Sequence, residues 1–86
     1  MASPQLENGY TRIANELLEA TAKFPFNGSQ YKIILFLWRK TYGFHKKVDS
    51  ISLSQWVKGT GLNNRTIRRE LKKLRQMNVI EQIQNE

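Results

Sequence analysis

Residues 52–76 read SLSQWVKGTGLNNRTIRRELKKLRQ, and the fold turns on how this stretch is parsed. Ser52 with Gln55 three positions on has the form of a capping box, which predicts a short helix over about Leu53 to Lys58. Gly59-Thr60-Gly61 reads as a tight turn, with Gly61 free to adopt the positive φ that redirects the chain. Asn63 is placed to cap a longer helix from about Asn64 to Gln76, and Asn78 to end it in a left-handed conformation. A short helix, a glycine-bearing turn and a second, Arg-rich helix form the helix-turn-helix pattern. Leu62, Ile67, Leu71 and Leu74 give the second helix one apolar face. Asn64, Arg65, Arg68, Arg69 and Lys72 share the other and project together away from the core. Such a face suits a major groove, where Arg pairs with guanine and Asn with adenine. Thr66 assists there, whereas Lys73 and Arg75 lie off the stripe and are better placed for phosphates. The alternative is a plain helical hairpin with a solvated basic face.

The charge distribution favours the first of these. The chain carries 14 Lys and Arg against 7 Asp and Glu, a net charge of +7. Residues 1–38 are neutral in sum, residues 39–57 carry +3, residues 58–75 carry +6, and the tail carries −2. Solvated helix faces ordinarily mix signs. Six net positive charges in 18 residues are instead the footprint of an element that meets a polyanion.

Working toward the N-terminus, Gly43 to Ser50 is a polar loop, and Ile51 with its flanks could form a short strand. Ser29 is a good N-cap for a helix to about Tyr42 that is apolar nearly all round and ends at Gly43, which predicts the central core helix. A first helix over about Thr11 to Lys23 has an apolar stripe of Ile13, Ala14, Leu17 and Leu18 after an Asn8-Gly9 turn. Phe24-Pro25-Phe26-Asn27-Gly28 breaks it. Past residue 78, Val79 to Ile83 alternates apolar and polar and reads as a strand. The expectation is a mainly α, winged helix-turn-helix fold of about four helices with a small two- or three-strand β element, in a single domain over residues 1–86. A full wing would need a returning strand beyond these residues, and otherwise the wing is rudimentary.

Other function classes lose ground on composition. Eighty-six residues make one small domain. The absence of cysteine excludes disulfides and Cys-based zinc sites and agrees with a reducing cytoplasm. The longest apolar run, Ile33 to Trp38, is six residues, far short of the roughly 20 that span a bilayer. No signal peptide is visible, so no membrane partner is expected. His45 has no ligand partner at metal spacing, Glu16 and Glu19 read as a solvated pair, and Trp38 and Trp56 read as core. Neither a phosphate-binding Gly-rich loop nor a nucleophile–base set occurs, so no enzyme, cofactor or metal is expected.

Three blocks carry a resemblance. Asn8-Gly9-Tyr10-Thr11-Arg12-Ile13-Ala14-Asn15-Glu16-Leu17-Leu18-Glu19-Ala20 resembles the opening of the phage replication protein O family, the lambda-type replication initiators. Arg39-Lys40-Thr41-Tyr42-Gly43-Phe44-His45-Lys46-Lys47, with Asp49, Ile51-Ser52 and Ser54-Gln55, looks like that family's most distinctive stretch. Gly61-Leu62 through Met77-Asn78-Val79-Ile80 fits the family and winged helices in general. The resemblance covers about residues 7–83. It implies an N-terminal winged-helix domain that binds repeated origin sites, usually as a homodimer. It implies a recognition helix within residues 63–73, and helicase-loading partners engaged through a separate C-terminal region absent from these residues.

The expectation is sequence-specific binding of double-stranded DNA at a phage or prophage replication origin, in the bacterial host cytoplasm. Arg65, Arg68 and Arg69 read bases, Asn64 and Thr66 assist, and Lys46, Lys47, Lys72 and Lys73 neutralise phosphates. Two rivals remain on the same fold: a transcriptional repressor, and a protein-interaction module whose basic face meets an acidic partner.

Overall fold

The computed structural model describes residues 9–43 and 50–79. Among them the chain forms four α-helices: α1 (Asn15–Lys23), α2 (Gly28–Trp38), α3 (Leu53–Thr60) and α4 (Asn64–Gln76). A π-helical turn, Arg39–Gly43, prolongs α2.

Three of the four helices open with the same device. Asn27 caps α2, its Oδ1 accepting from Gln30 N at 2.8 Å while Gln30 Oε1 accepts from Asn27 N at 3.1 Å. Ser52 and Gln55 make the equivalent capping box on α3. On α4, Asn63 Oδ1 accepts from Thr66 N at 2.8 Å. In each case the residue before the cap and the residue four after it are apolar or aromatic: Phe26 with Tyr31 (ring centroids 5.5 Å apart), Ile51 with Trp56, and Leu62 with Ile67, all but Tyr31 packed in or against the core. This hydrophobic staple fixes the angle at which the chain enters each helix.

The device accounts for most departures from expectation. Asn27, not Ser29, caps the central helix, because Gln30 supplies the reciprocal bond three residues on. Ile51 lies in a bend, not a strand, since it is the staple residue immediately before the Ser52 cap. Helix α1 lacks the device: Ala14 offers no capping side chain, so the helix starts at Asn15 and not at Thr11. Its stripe is also narrower than expected, with Ile13 and Leu17 half-buried but Ala14 and Leu18 exposed. Of the strand expected over residues 79–83, Val79 is helical and the rest lie outside the described residues. The four-helix, mainly α expectation therefore holds, while no β element occurs among the described residues.

Helix α2 runs through the centre of the molecule, with Ile33, Ile34, Leu37 and Trp38 buried against Ile51, Trp56, Ile67 and Leu74. Trp38 and Trp56 are core residues, as expected. The helix is not wrapped all round, for Lys32 and Leu35 face outward. The Tyr31 hydroxyl donates to Phe24 O at 2.7 Å and so ties the Pro25 connection to α2. No helix of the described residues is long and apolar enough to cross a membrane.

The turn between α3 and α4 is shorter than the Gly59-Thr60-Gly61 triplet suggests, because α3 continues through Thr60. Only Gly61 is left-handed (φ 74°), and its N–H donates to Val57 O at 2.9 Å. The Thr60 hydroxyl donates to Trp56 O at 2.7 Å and accepts from Leu62 N at 3.2 Å, closing the turn. Gly59 has a different task, since a Cβ there would overlap the Phe36 ring. That ring is held between Trp56, at a centroid distance of 5.2 Å, and the Lys40 ammonium, 5.4 Å from its centre. Asn78, with φ 61°, is left-handed as expected, just past the end of α4.

Gly59→Ala should therefore destabilise the fold by about 1–3 kcal/mol through overpacking, although alanine is the better helix former. In a Phe36→Ala background the same change should be neutral or stabilising by up to about 1 kcal/mol. Urea unfolding of the four proteins checks this, and a stabilising Gly59→Ala in the wild-type background would refute the close-approach account.

Candidate nucleic-acid interface

Each residue of α4 is rotated about 100° from the last, so burial of Ile67, Glu70 and Leu74 dictates which side chains face outward. Arg65 and Lys72 fall diametrically opposite this buried line, flanked by Arg68 and Arg69, and all four are exposed. Asn64 is exposed on the first turn beside Arg68, and Thr66 is half-buried at the margin. Lys73 sits on the edge between the outward face and the buried line. The structure thus brings Asn64, Arg65, Arg68, Arg69 and Lys72 onto one surface, with Thr66 and Lys73 at its borders. Lys46 and Lys47, like His45, lie outside the described residues.

The outer side of α3 joins this surface. A concavity lined by Ser54, Gln55, Val57, Lys58 and Asn64 sets Lys58 and the Ser54 hydroxyl beside the start of the basic helix. Their place is a product of the tight Gly61 turn. Sequence reasoning counted Lys58 within the basic stretch but assigned it no role. A basic residue one turn before a helix-turn-helix glycine is the signal that was available.

The residue that sequence reasoning missed outright is Glu70. It is the lone acid of the basic stretch, and it is only 2% exposed. Its Oε2 accepts from Asn27 Nδ2 at 3.4 Å, so the carboxylate on α4 meets the residue that caps α2. Its Oε1 lies 3.3 Å from Arg69 Nε and 3.8 Å from Lys73 Nζ. Burial pushes the Glu70 carboxyl pKa up, but the hydrogen bonds from Asn27 and Arg69, the Lys73 charge and the Gln30 side chain outweigh it and hold the pKa below its ordinary value. The carboxylate is thus ionised at neutral pH. The available signal was positional: Glu70 lies three residues after Ile67 and four before Leu74, on the stripe that must be buried.

A surface of this kind is cationic, convex and carried on a rigid helix. It can lie in a groove of a polyanion, pair with base edges through Arg and Asn, and contact phosphates through Lys. Among the described residues there is no cluster of His, Cys, Asp or Glu able to hold a metal ion.

Residues 3–86 match the family described as bacteriophage replication protein O. Over 58 residues, 67% of this chain, it is 45% identical to the DNA replication protein gp18 of Salmonella phage P22, covering 21% of that protein. Over 77 residues, 90% of this chain, it is 38% identical to replication protein O of Escherichia phage lambda, covering 23% of it. Identity to replication protein 15 of Enterobacteria phage phi80 is 29% over 75 residues, 87% of this chain and 25% of that protein. The chain therefore spans about a quarter of the length of these curated relatives or less. No solved structure matches it.

The depressed Glu70 pKa has a pH signature. A carboxylate whose folded pKa lies below its unfolded value stabilises the fold above the unfolded pKa, and that contribution is lost as pH falls through the folded one. Thermal midpoints of the wild type should therefore drop as pH is lowered below the ordinary carboxylate value of 4.5. Glu70→Gln should be less stable than wild type near neutrality, and the gap should narrow in that acidic window. A gap that stays constant from neutral to acidic pH would contradict the pairing.

Proposed function

Because the chain belongs to the bacteriophage replication protein O family, proteins of phage DNA replication, we propose that it binds double-stranded DNA sequence-specifically at a phage or prophage replication origin. Helix α4 enters the major groove. Arg65, Arg68 and Arg69 read base edges, Asn64 and Thr66 assist, and Lys72 and Lys73 neutralise phosphates, with Lys46 and Lys47 adding to that term. Lys58 and Ser54 join the phosphate contacts from α3. The protein acts as a homodimer on repeated sites in the host cytoplasm, and no catalytic step belongs to this reading.

The observation that carries it is the outward face of α4. Six of its thirteen residues are Arg or Lys, all exposed, and the one acid among them is turned into the core. A face meant only for solvation gains nothing from such segregation, whereas a polyanion-binding face does.

Fluorescence anisotropy on two labelled duplexes across a salt series tests this. One carries direct repeats found in the gene's own coding sequence, and the other is a scramble of equal composition. Preference for the repeats by about a hundredfold or more at physiological salt is expected, with a log–log salt slope of about −5 to −7 if six to eight phosphates are contacted. Absence of any duplex binding at low salt would favour a protein-interaction module instead.

Arg65→Ala or Arg68→Ala should cost about 1–3 kcal/mol on the repeat duplex and relax the preference at one base position. Lys72→Ala should weaken specific and scrambled duplexes alike and flatten the salt slope by about one. Equal losses on both duplexes for both Arg variants would sink the base-reading assignment.

A further inference from the structure

Adjacent residues on a helix do not face one another, yet Arg69 Nε lies 3.3 Å from Glu70 Oε1. The Arg69 side chain has therefore swung off the outward face toward the buried line. Lys73, one turn on from Glu70 and on the same flank as Arg69, leans to the same carboxylate at 3.8 Å. Glu70 cannot follow them outward, because it is buried and its second oxygen is engaged by Asn27 Nδ2 on the α2 cap. Two of the six cations on α4 are thus tethered to a fixed anion while keeping a little over half of their side-chain surface exposed, 55% and 53%.

We propose that Glu70 is a positioning residue for DNA discrimination: its buried carboxylate gathers Arg69 and Lys73 to the α2-side edge of α4 and leaves Arg65 and Arg68 to enter the groove. The inference rests on the DNA-binding reading above and moves Arg69 from the groove to the phosphate edge. The physical gain is selective. Long, unpaired cations neutralise phosphates on any sequence, and this is the source of non-specific affinity. Cations held by an internal anion contribute fully only where the duplex is seated so that a phosphate replaces or joins that anion. The tether therefore lowers affinity for random DNA more than affinity for the cognate site.

The experiment is anisotropy on the repeat and scrambled duplexes with wild type, Glu70→Gln, Arg69→Gln/Lys73→Gln, and the triple variant, with Glu16→Gln as a control for loss of one exposed negative charge elsewhere. Glu70→Gln keeps the size of the side chain and an acceptor for Asn27 but frees the two cations. Its expected effect is about a threefold to tenfold gain on the scramble, a salt slope steeper by about one to two, and a smaller ratio between the two duplexes. In the Arg69→Gln/Lys73→Gln background the same substitution should change nothing. Should Glu70→Gln behave like Glu16→Gln, or act undiminished when Arg69 and Lys73 are already neutral, the positioning role is overturned.

A measurement on the wild type alone covers the case in which Glu70→Gln fails to fold. Hydrogen exchange at the Arg69 Nε–H, followed by nitrogen-15 NMR, should be markedly slower than at Arg65 and Arg68, and equal rates would overturn the tether. Wild-type protein that binds neither duplex would instead sink the DNA-binding reading itself. Wild-type binding with an inert Glu70→Gln sinks only the tether.

Discussion

A buried carboxylate must be met by donors or it cannot remain ionised. In this protein that condition couples elements far apart in sequence. Glu70 projects from the middle of α4 into the core and finds its partner in Asn27, the residue that also caps α2. Asn27 thus serves two ends at once, with Oδ1 accepting from Gln30 N and Nδ2 donating to Glu70. Rolling α4 about its axis would strand the carboxylate, which would lose the Asn27 amide. The orientation of the basic face is therefore set from behind, by buried Ile67 and Leu74 together with the one charge on that helix that does not point at solvent.

The remaining constraints work toward the same end. Helix α2 supplies the central apolar surface, and α3 and α4 are set against it by staples whose apolar members lie in or against the core. Close approach of α3 to α2 is possible because Gly59 leaves room for the Phe36 ring, and the Gly61 turn then delivers α4 across the same helix. Helix α1, which buries no residue completely, contributes least to this frame. The helix that presents the cations is thus held by both α2 and α3.

Relatives in bacteriophage replication bear out the resemblance seen in three short blocks of sequence. The first of those blocks lies outside the helix-turn-helix, in and before α1, and the second reaches from the π turn to the start of α3. The exposed Arg and Lys residues of α4 lie in the third block.

Much of this architecture was legible in the residues themselves. Caps at Ser52 and Asn63, the left-handed Gly61 and Asn78, the span of α4 and the core placement of both tryptophans depend on interactions within a few residues or on bare hydrophobicity, and local sequence suffices for these. The segregation of Arg and Lys onto one face followed from helical periodicity alone. Asn27 as the cap in place of Ser29, and Ile51 as a staple and not a strand, still rest on partners within a few residues. What the sequence did not disclose were the features that need a partner from elsewhere: Gly59 denied a Cβ by the Phe36 ring, and Lys58 brought beside Asn64. Above all it did not disclose that Glu70 is buried. Charge and periodicity make opposite demands at that position, and a donor 43 residues away on another helix decides between them.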